Sequence, residues 1–546
     1  MKYPIGIQSF EKIRKGGFVY VDKTDLIYKL ARGSVYFLAR PRRFGKSLLM
    51  DTLRCYFEGR RDLFEGLKME ALETEWTKYP VVSFDFNVGN KRSATGLEDY
   101  LRSVIATCEE KYGISPCIEE RTGKPSLDAT LRFSHLLKQL HEKTGLRVVA
   151  LVDEYDKPLL DLLGTDNPAD EEQLDRNREL LKNFFAVFKA ADQHLRFVML
   201  TGVTKFSQVT MFSGTNQPDD ITLDHQYDTL LGITEEELYT IFDEGIRELA
   251  EAENRDVAEM KSRMKLRYDG YHFSRRLVDV YNPFSILNAL KKSELRDYWF
   301  ASGTPTYGVR LMASAHEDVM QYTQSEHTLD EFVNYKADTA RPLPMLFQAG
   351  YLTIKGYDPD TETYRLDFPN MEVRRGLVTV LTNDYLGSEG KSTAWVTQMV
   401  RAMRAGDTDL IRRLFTSFLA ETPYAMRPKK DQKDRELYFH YTFYLLMRLI
   451  SCYTVYTEKQ LSEGRADCIV ETPQYVYIFE FKLDGTAQEA LQQISDRGYA
   501  KAYEADTRTV YKIGASFSSK TGTVEEWEIE DSGARAPSPA PRGDRT

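Results

Sequence analysis

Short apolar runs recur through the first 200 residues, each followed by a polar turn and a stretch with helical spacing. Val35–Ala39 and Val148–Val152 are apolar throughout, the pattern of strands covered on both faces. Arg196–Leu200 is nearly so, and Val81–Phe86 alternates. Strands interleaved with helices predict a parallel α/β sheet over residues 1–215. From Thr222 the pattern turns helical, with Glu235-Glu236-Glu237-Leu238 leading into a helix and Pro342–Gln348 leading into a short strand at Tyr351–Ile354. Residues 216–357 are therefore expected to form a helical lid or winged-helix-like region, and 358–430 a helical connector. Residues 431–531 return to α/β patterning. Residues 532–546 are rich in Pro, Gly, Ser and Arg and are expected to be disordered. No internal repeat is seen.

The first strand is followed by Arg40-Pro41-Arg42-Arg43-Phe44-Gly45-Lys46-Ser47 and then by Leu48-Leu49-Met50, which opens a helix. Strand, glycine-containing loop and helix in that order are what a phosphate-binding loop requires. Main-chain N–H groups from Phe44 through Leu48 and the helix N-terminus would surround a β-phosphate. Lys46 would reach the β and γ oxygens, and the Ser47 hydroxyl would ligate Mg²⁺. Arg40 stands where GxxxxGK[ST] has its first glycine, and with Arg42 and Arg43 it makes the loop basic, as a polyphosphate favours. The run Val148–Val152 ends in Asp153-Glu154. Asp153 would hold Mg²⁺ through water and Glu154 would orient or deprotonate an attacking water. Thr201, at the end of the fourth run, has two readings: a sensor of the γ-phosphate or a strand-end backbone partner. Asp85 ends another strand and is not counted as catalytic. The residues do not choose between ATP and GTP.

A second constellation lies near the other end. Arg465–Glu471 and Tyr475–Lys482 read as strands joined by Thr472-Pro473-Gln474. A hairpin centred between Pro473 and Gln474 sets Asp467 opposite Glu480, with Lys482 on the same face and Phe479 and Phe481 on the other. Two carboxylates and a lysine on one face suit a divalent metal, with Asp467 and Glu480 as ligands and Lys482 orienting water or stabilising charge at phosphorus. The alternative is a surface hairpin with diagonal ion pairs, Arg465 to Glu480 and Asp467 to Lys482. Glu436 and His440, four apart at the start of the apolar stretch Leu437–Met447, share a helix face and could reach such a metal. A first-turn carboxylate and a core histidine are their ordinary roles. Helical spacing resumes at Ala487–Ile494, with Tyr499 beyond.

Charge and composition narrow the partners. The 546 residues are 42% hydrophobic with net charge −10, which argues against broad electrostatic adhesion to nucleic acid and leaves local contacts, of which Arg427-Pro428-Lys429-Lys430 is the nearest candidate. Length suggests roughly three or four domains. The five cysteines include no CxxC pair, so neither a disulfide framework nor a structural zinc site is indicated. No apolar run reaches membrane-spanning length, and the start has no signal-peptide core, so the cytoplasm is expected and a membrane partner is not.

Glu436, Asp467, Glu480-Phe481-Lys482 and Gln493 together resemble the PD-(D/E)XK nuclease superfamily, without a Pro before Asp467. Tyr20-Val21-Asp22-Lys23-Thr24, the loop Arg40–Ser47 and Val152-Asp153-Glu154-Tyr155-Asp156 resemble the AAA-ATPase-like domain of a bacterial family that carries such a nuclease-like domain at its end. Tyr268–Phe273 and Tyr281–Ser285 are similar to the same family's middle region. The resemblance implies a P-loop NTPase sheet, a helical middle and a C-terminal nuclease-like α/β domain. It implies ATP and Mg²⁺ as cofactors, DNA or RNA as a partner, and leaves room for a homo-oligomer. The expected function is an ATPase coupled to a metal-dependent nuclease. The rival is a nucleotide-regulated interaction protein whose nuclease fold is inactive.

Overall fold

The computed structural model describes residues 1–89, 93–120, 122–163, 167–205, 218–301, 321–333, 342–386, 391–421, 468–472, 474–503, 506–518, 521 and 523–531. The chain divides into two compact units, Met1–Arg374 and Arg375–Thr546.

The first unit is built on five parallel strands: β1 (Val35–Ala39), β2 (Val81–Asp85), β3 (Val148–Asp153), β4 (Leu195–Gly202) and β5 (Asp219–Asp220). Their order across the sheet is β2-β3-β4-β1-β5. β3 is buried at every position, as its unbroken apolar run requires of a strand with neighbours on both edges and helices on both faces. Helix Lys46–Phe57 leaves β1 and packs Leu49, Leu53 and Phe57 on Leu38, Leu151 and Phe197 of the sheet. Helices Gly96–Tyr112 and Ala129–Thr144 link β2 to β3, and Pro168–Ala190 links β3 to β4. Asp128 and Asn167 cap the last two by accepting N–H groups of their first turns.

The middle region is helical with a small sheet. Glu235-Glu236-Glu237 form the first turn of helix Glu235–Ile241, where Thr234 and Glu237 make a capping box. Asp243–Ala252, Val257–Tyr268 and Pro283–Lys292 share one core with it. A second, antiparallel sheet has the order β6-β8-β7, from Glu326–His327 (β6), Thr353–Asp358 (β7) and Thr363–Asp367 (β8). The strand expected at Tyr351 begins two residues later.

In the second unit, β9 (Cys468–Glu471), β10 (Tyr475–Leu483), β11 (Thr509–Phe517) and β12 (Val524–Asp531) form a mixed sheet ordered β12-β11-β10-β9. β10 and β11 are parallel and are joined by helix Ala487–Asp496, while both outer pairs are antiparallel. One face carries that helix on Ile478 and Val510. Gly514 permits the close approach, since a Cβ there would lie 2.3 Å from the Ala487 carbonyl oxygen. The other face buries Tyr477, Phe479 and Phe481 against helices Lys391–Ala405 and Thr408–Glu421, so these helices and the strands share one core.

Candidate functional site

The loop between β1 and helix Lys46–Phe57 turns through left-handed backbone at Arg43 (φ 68) and Gly45 (φ 98), and Gly45 caps the helix. The Lys46 ammonium is buried. It donates to the Arg40 carbonyl at 3.0 Å and the Pro41 carbonyl at 3.3 Å and lies 3.3 Å from Glu154 Oε1. Glu154 itself is left-handed, at φ 53. Such backbone is uncommon for residues with a Cβ and recurs at functional sites.

Asp153 sits at the end of β3 with 7% of its surface exposed. Burial raises its carboxyl above the usual range, countered by hydrogen bonds from Ser47 and Thr201. Thr201 Oγ1 donates to Asp153 Oδ1 at 2.5 Å. Of its two sequence readings, neither describes this bond, which joins the strand end to the neighbouring strand's carboxylate. The cleft beside Ser47 and Asp153 is also lined by Asp51, Arg54, Ser83 and Asp85, and Asp85 is the register partner of Asp153. An apolar pocket on the other flank of the loop is bounded by Tyr20, Val21, Gly45, Leu48, Leu231 and Pro283. Lys23, which also lines it, is paired with Glu237 at 2.5 Å.

The other loop residues are placed differently from one another. Arg40, expected beside the phosphates, is 1% exposed and turned away from Lys46. Its guanidinium donates to the carbonyls of Ala39, Thr222 and Tyr227 and lies 4.0 Å from the centre of the Phe273 ring. Burial lowers its pKa to about 9, against the pull of Asp228 and Asp220. Only its main-chain carbonyl faces Lys46. Phe44 is buried edge-on against Tyr271 and Phe273. Arg42 is half-buried, with its carbonyl accepting from Trp299, and Arg43 is exposed over Phe284.

At the second site, β9 and β10 pair Glu471 with Val476, Val470 with Tyr477, Ile469 with Ile478 and Cys468 with Phe479. This is the register expected from a turn centred between Pro473 and Gln474. Asp467, Glu436 and His440 lie outside the described residues. Glu480 is 2% exposed, which removes the surface-hairpin alternative for this strand. Gln493, on helix Ala487–Asp496, donates its amide N–H to Glu480 Oε1 and accepts from Lys482 Nζ at 2.5 Å. One amide thus spans the carboxylate and the ammonium.

A family model described as "Predicted AAA-ATPase" matches residues 4–212, and one described as "PD-(D/E)XK nuclease superfamily" matches 434–527. An uncharacterized protein in the vnfD 5′ region of Azotobacter chroococcum mcd 1 is 36% identical over 542 residues, covering 97% of this chain and 99% of that protein. The chain belongs to the AAA-ATPase-like family with a C-terminal PD-(D/E)XK domain. Among the described residues of this AAA-ATPase-like protein, no helix is long and apolar enough to cross a membrane.

Asp156 closes the motif Val152-Asp153-Glu154-Tyr155-Asp156, and sequence alone assigns it no role. In the AAA-ATPase-like domain it is fully buried, and Oδ2 accepts from Val203 N at 3.0 Å and from Thr204 N at 2.6 Å and Oγ1 at 2.7 Å. Burial, reinforced by Glu154, raises its pKa to about 6. It latches the chain leaving β4 to the end of β3. The signal was present as a third acid three residues after Asp153, but nothing in spacing says which acids face inward.

Proposed function

We propose that this protein binds and hydrolyses Mg·ATP in its first unit and uses it to control a metal-dependent nuclease-like domain acting on DNA or RNA. The observation that carries the reading is the convergence of Lys46, Ser47, Asp153, Glu154 and Thr201, from one loop and two adjacent strands, at the carboxyl ends of a parallel sheet. The residues fit the ligands. A buried carboxylate with raised pKa beside a serine hydroxyl suits a divalent cation, and a buried lysine held, among the described residues, by two carbonyls and one acid suits a polyphosphate. Ser47 and Asp153 would hold Mg²⁺, whose charge would offset that on the phosphates. Lys46 would exchange its carbonyl partners for phosphate oxygens, Glu154 would orient the water, and Thr201 would keep Asp153 aimed. The apolar pocket would seat the base, with Lys23 already committed to Glu237.

In the second unit, Glu480 and Lys482 would form the catalytic face with Asp467, which falls opposite Glu480 if the ladder runs one step further. Asp467 and Glu480, with Glu436, would hold the metal, and Lys482 would stabilise charge at phosphorus. Gln493 bridges the two described groups.

The test is cleavage of single- and double-stranded DNA and RNA by the full chain with Mg²⁺ or Mn²⁺, with and without ATP, against Lys482→Ala. Cleavage that needs Lys482 and responds to ATP is expected. No cleavage above the variant's background on any substrate, with Mg²⁺ binding unchanged by Asp467→Ala, would replace the nuclease by a nucleotide-regulated binding module.

A further inference from the structure

The phosphate loop is held from outside by residues more than 200 positions along the chain. The indole Nε1 of Trp299 donates to the Arg42 carbonyl at 3.0 Å, and the Arg43 guanidinium lies 4.7 Å from the centre of the Phe284 ring. Both anchors are fastened to a single carboxylate. Glu372, 1% exposed, accepts the Trp299 main-chain N–H at 2.6 Å and, through its other oxygen, the hydroxyl of Ser285, next to Phe284, at 2.7 Å. Trp299 is itself buried, with its ring edge-on to Tyr351 at 5.6 Å. A buried carboxylate is costly to keep unless its oxygens are occupied, and here both are spent on the two residues that carry the loop's anchors.

Glu372 is the second residue of helix Met371–Leu386, which begins in the first unit and continues past its boundary at Arg374 into the second. The chain of bonds therefore runs from the loop peptide at Arg42, through one rigid aromatic side chain and its own peptide, to the first turn of the helix joining the two units. Neither Trp299 nor Glu372 is among the groups gathered around Lys46.

We propose that Glu372 and Trp299 are positioning residues of the phosphate loop, and that through them the filling of the loop is registered at the root of helix Met371–Leu386. This rests on the nucleotide reading above. When the loop closes on a phosphate, the Arg42 carbonyl moves with it. Trp299 follows or lets go, and because its peptide is pinned to Glu372, the first helical turn is loaded either way. The coupling is reciprocal, so a change at the helix root alters nucleotide affinity by the same factor.

Hydrogen exchange of the full chain, with and without saturating Mg·ADP, tests this on the wild type, Trp299→Phe, Glu372→Ala and Glu372→Gln. Nucleotide affinity is measured separately for each. In the wild type, nucleotide should change exchange across 371–386 by about fivefold or more, in line with ordinary coupling between sites. Trp299→Phe keeps the ring without its donor and should bind about fivefold more weakly, the worth of one hydrogen bond, while its helix response disappears. Glu372→Ala should lose the response and Glu372→Gln should keep it, since an amide oxygen still accepts the Trp299 N–H. A wild type that binds nucleotide with no change in the helix, or a Trp299→Phe helix responding like the wild type, overturns the inference and leaves the nucleotide reading standing. A wild type that binds no nucleotide removes both.

Discussion

Replacing Glu372 by glutamine should make the first unit more stable, and only above mildly acidic pH. Burial lifts this carboxyl from its ordinary 4.5 to about 7, against the hydrogen bonds from Ser285 and the Trp299 N–H. Asp297 adds to the rise and Arg267 opposes it, while Tyr268 and Tyr271 stand nearby as neutral phenols. In the unfolded chain the same group ionises near 4.5, so between the two values the folded state keeps a proton that the unfolded state releases. Its contribution to stability is complete below 4.5 and is lost as pH rises through 7. At about 1.4 kcal/mol per pH unit, the difference amounts to roughly 3 kcal/mol. Glutamine copies the protonated form, its carbonyl accepting from Trp299 and its amide donating to Ser285. Wild type and Glu372→Gln should therefore match near pH 4.5, and the variant should gain by about 3 kcal/mol at pH 8. Native-state hydrogen exchange of the β3 amides reads this unit separately from the second. Parallel profiles from about pH 5 to 8, or a wild type that gains on the variant, would refute the reasoning.

Arg40→Gly restores the missing glycine of the loop motif yet should destabilise the first unit by about 2–4 kcal/mol, because it strips the Thr222 and Tyr227 carbonyls of their donor and empties the face of Phe273; a thermal melt as high as the wild type's would contradict this. Thr201→Val removes the donor to Asp153 at nearly constant volume and should lower ATP turnover by about tenfold, while Lys46→Ala should abolish nucleotide binding itself; equal losses of binding in the two variants would show that Thr201 does more than aim Asp153. Gly514→Ala drives a methyl into the Ala487 carbonyl and should cost the second unit about 1–3 kcal/mol while disturbing the Gln493 bridge, to be followed by denaturant unfolding.

The sheet was readable because its strands have the simplest pattern a chain can carry. Val35–Ala39 matches its observed bounds and Val148–Val152 falls one residue short, since a strand buried on both faces has no polar position to blur it. The β9–β10 register was readable for a different reason: a short turn fixes which residue numbers face each other, and four observed pairs obey it. Arg40 shows where reading stops. Three arginines near a phosphate loop look alike in sequence, and what sends one inward is the cluster of Thr222, Tyr227 and Phe273, more than 180 residues away. Glu372 and Trp299 left no trace for the same reason, as their partners are set by tertiary packing and not by period or motif. Gln493 was visible as part of a resemblance, but its bridging role needed the helix to be laid across β10.

Arg43, three residues before Lys46, and Glu154, 3.3 Å from its ammonium, both carry side chains through backbone that suits glycine. Each position costs the resting molecule something on the order of 1 kcal/mol. Laboratory evolution that rewarded heat tolerance alone would meet the Arg43 codon early, since a glycine there relieves the backbone at the loss of an exposed side chain over Phe284, whereas at Glu154 the same relief would leave the buried Lys46 ammonium without its acid. The survivors would be hardier proteins with a slacker loop. Endurance and readiness are thus set against each other at Arg43, and a thermostability screen run without an activity screen would select against the loop it was meant to preserve.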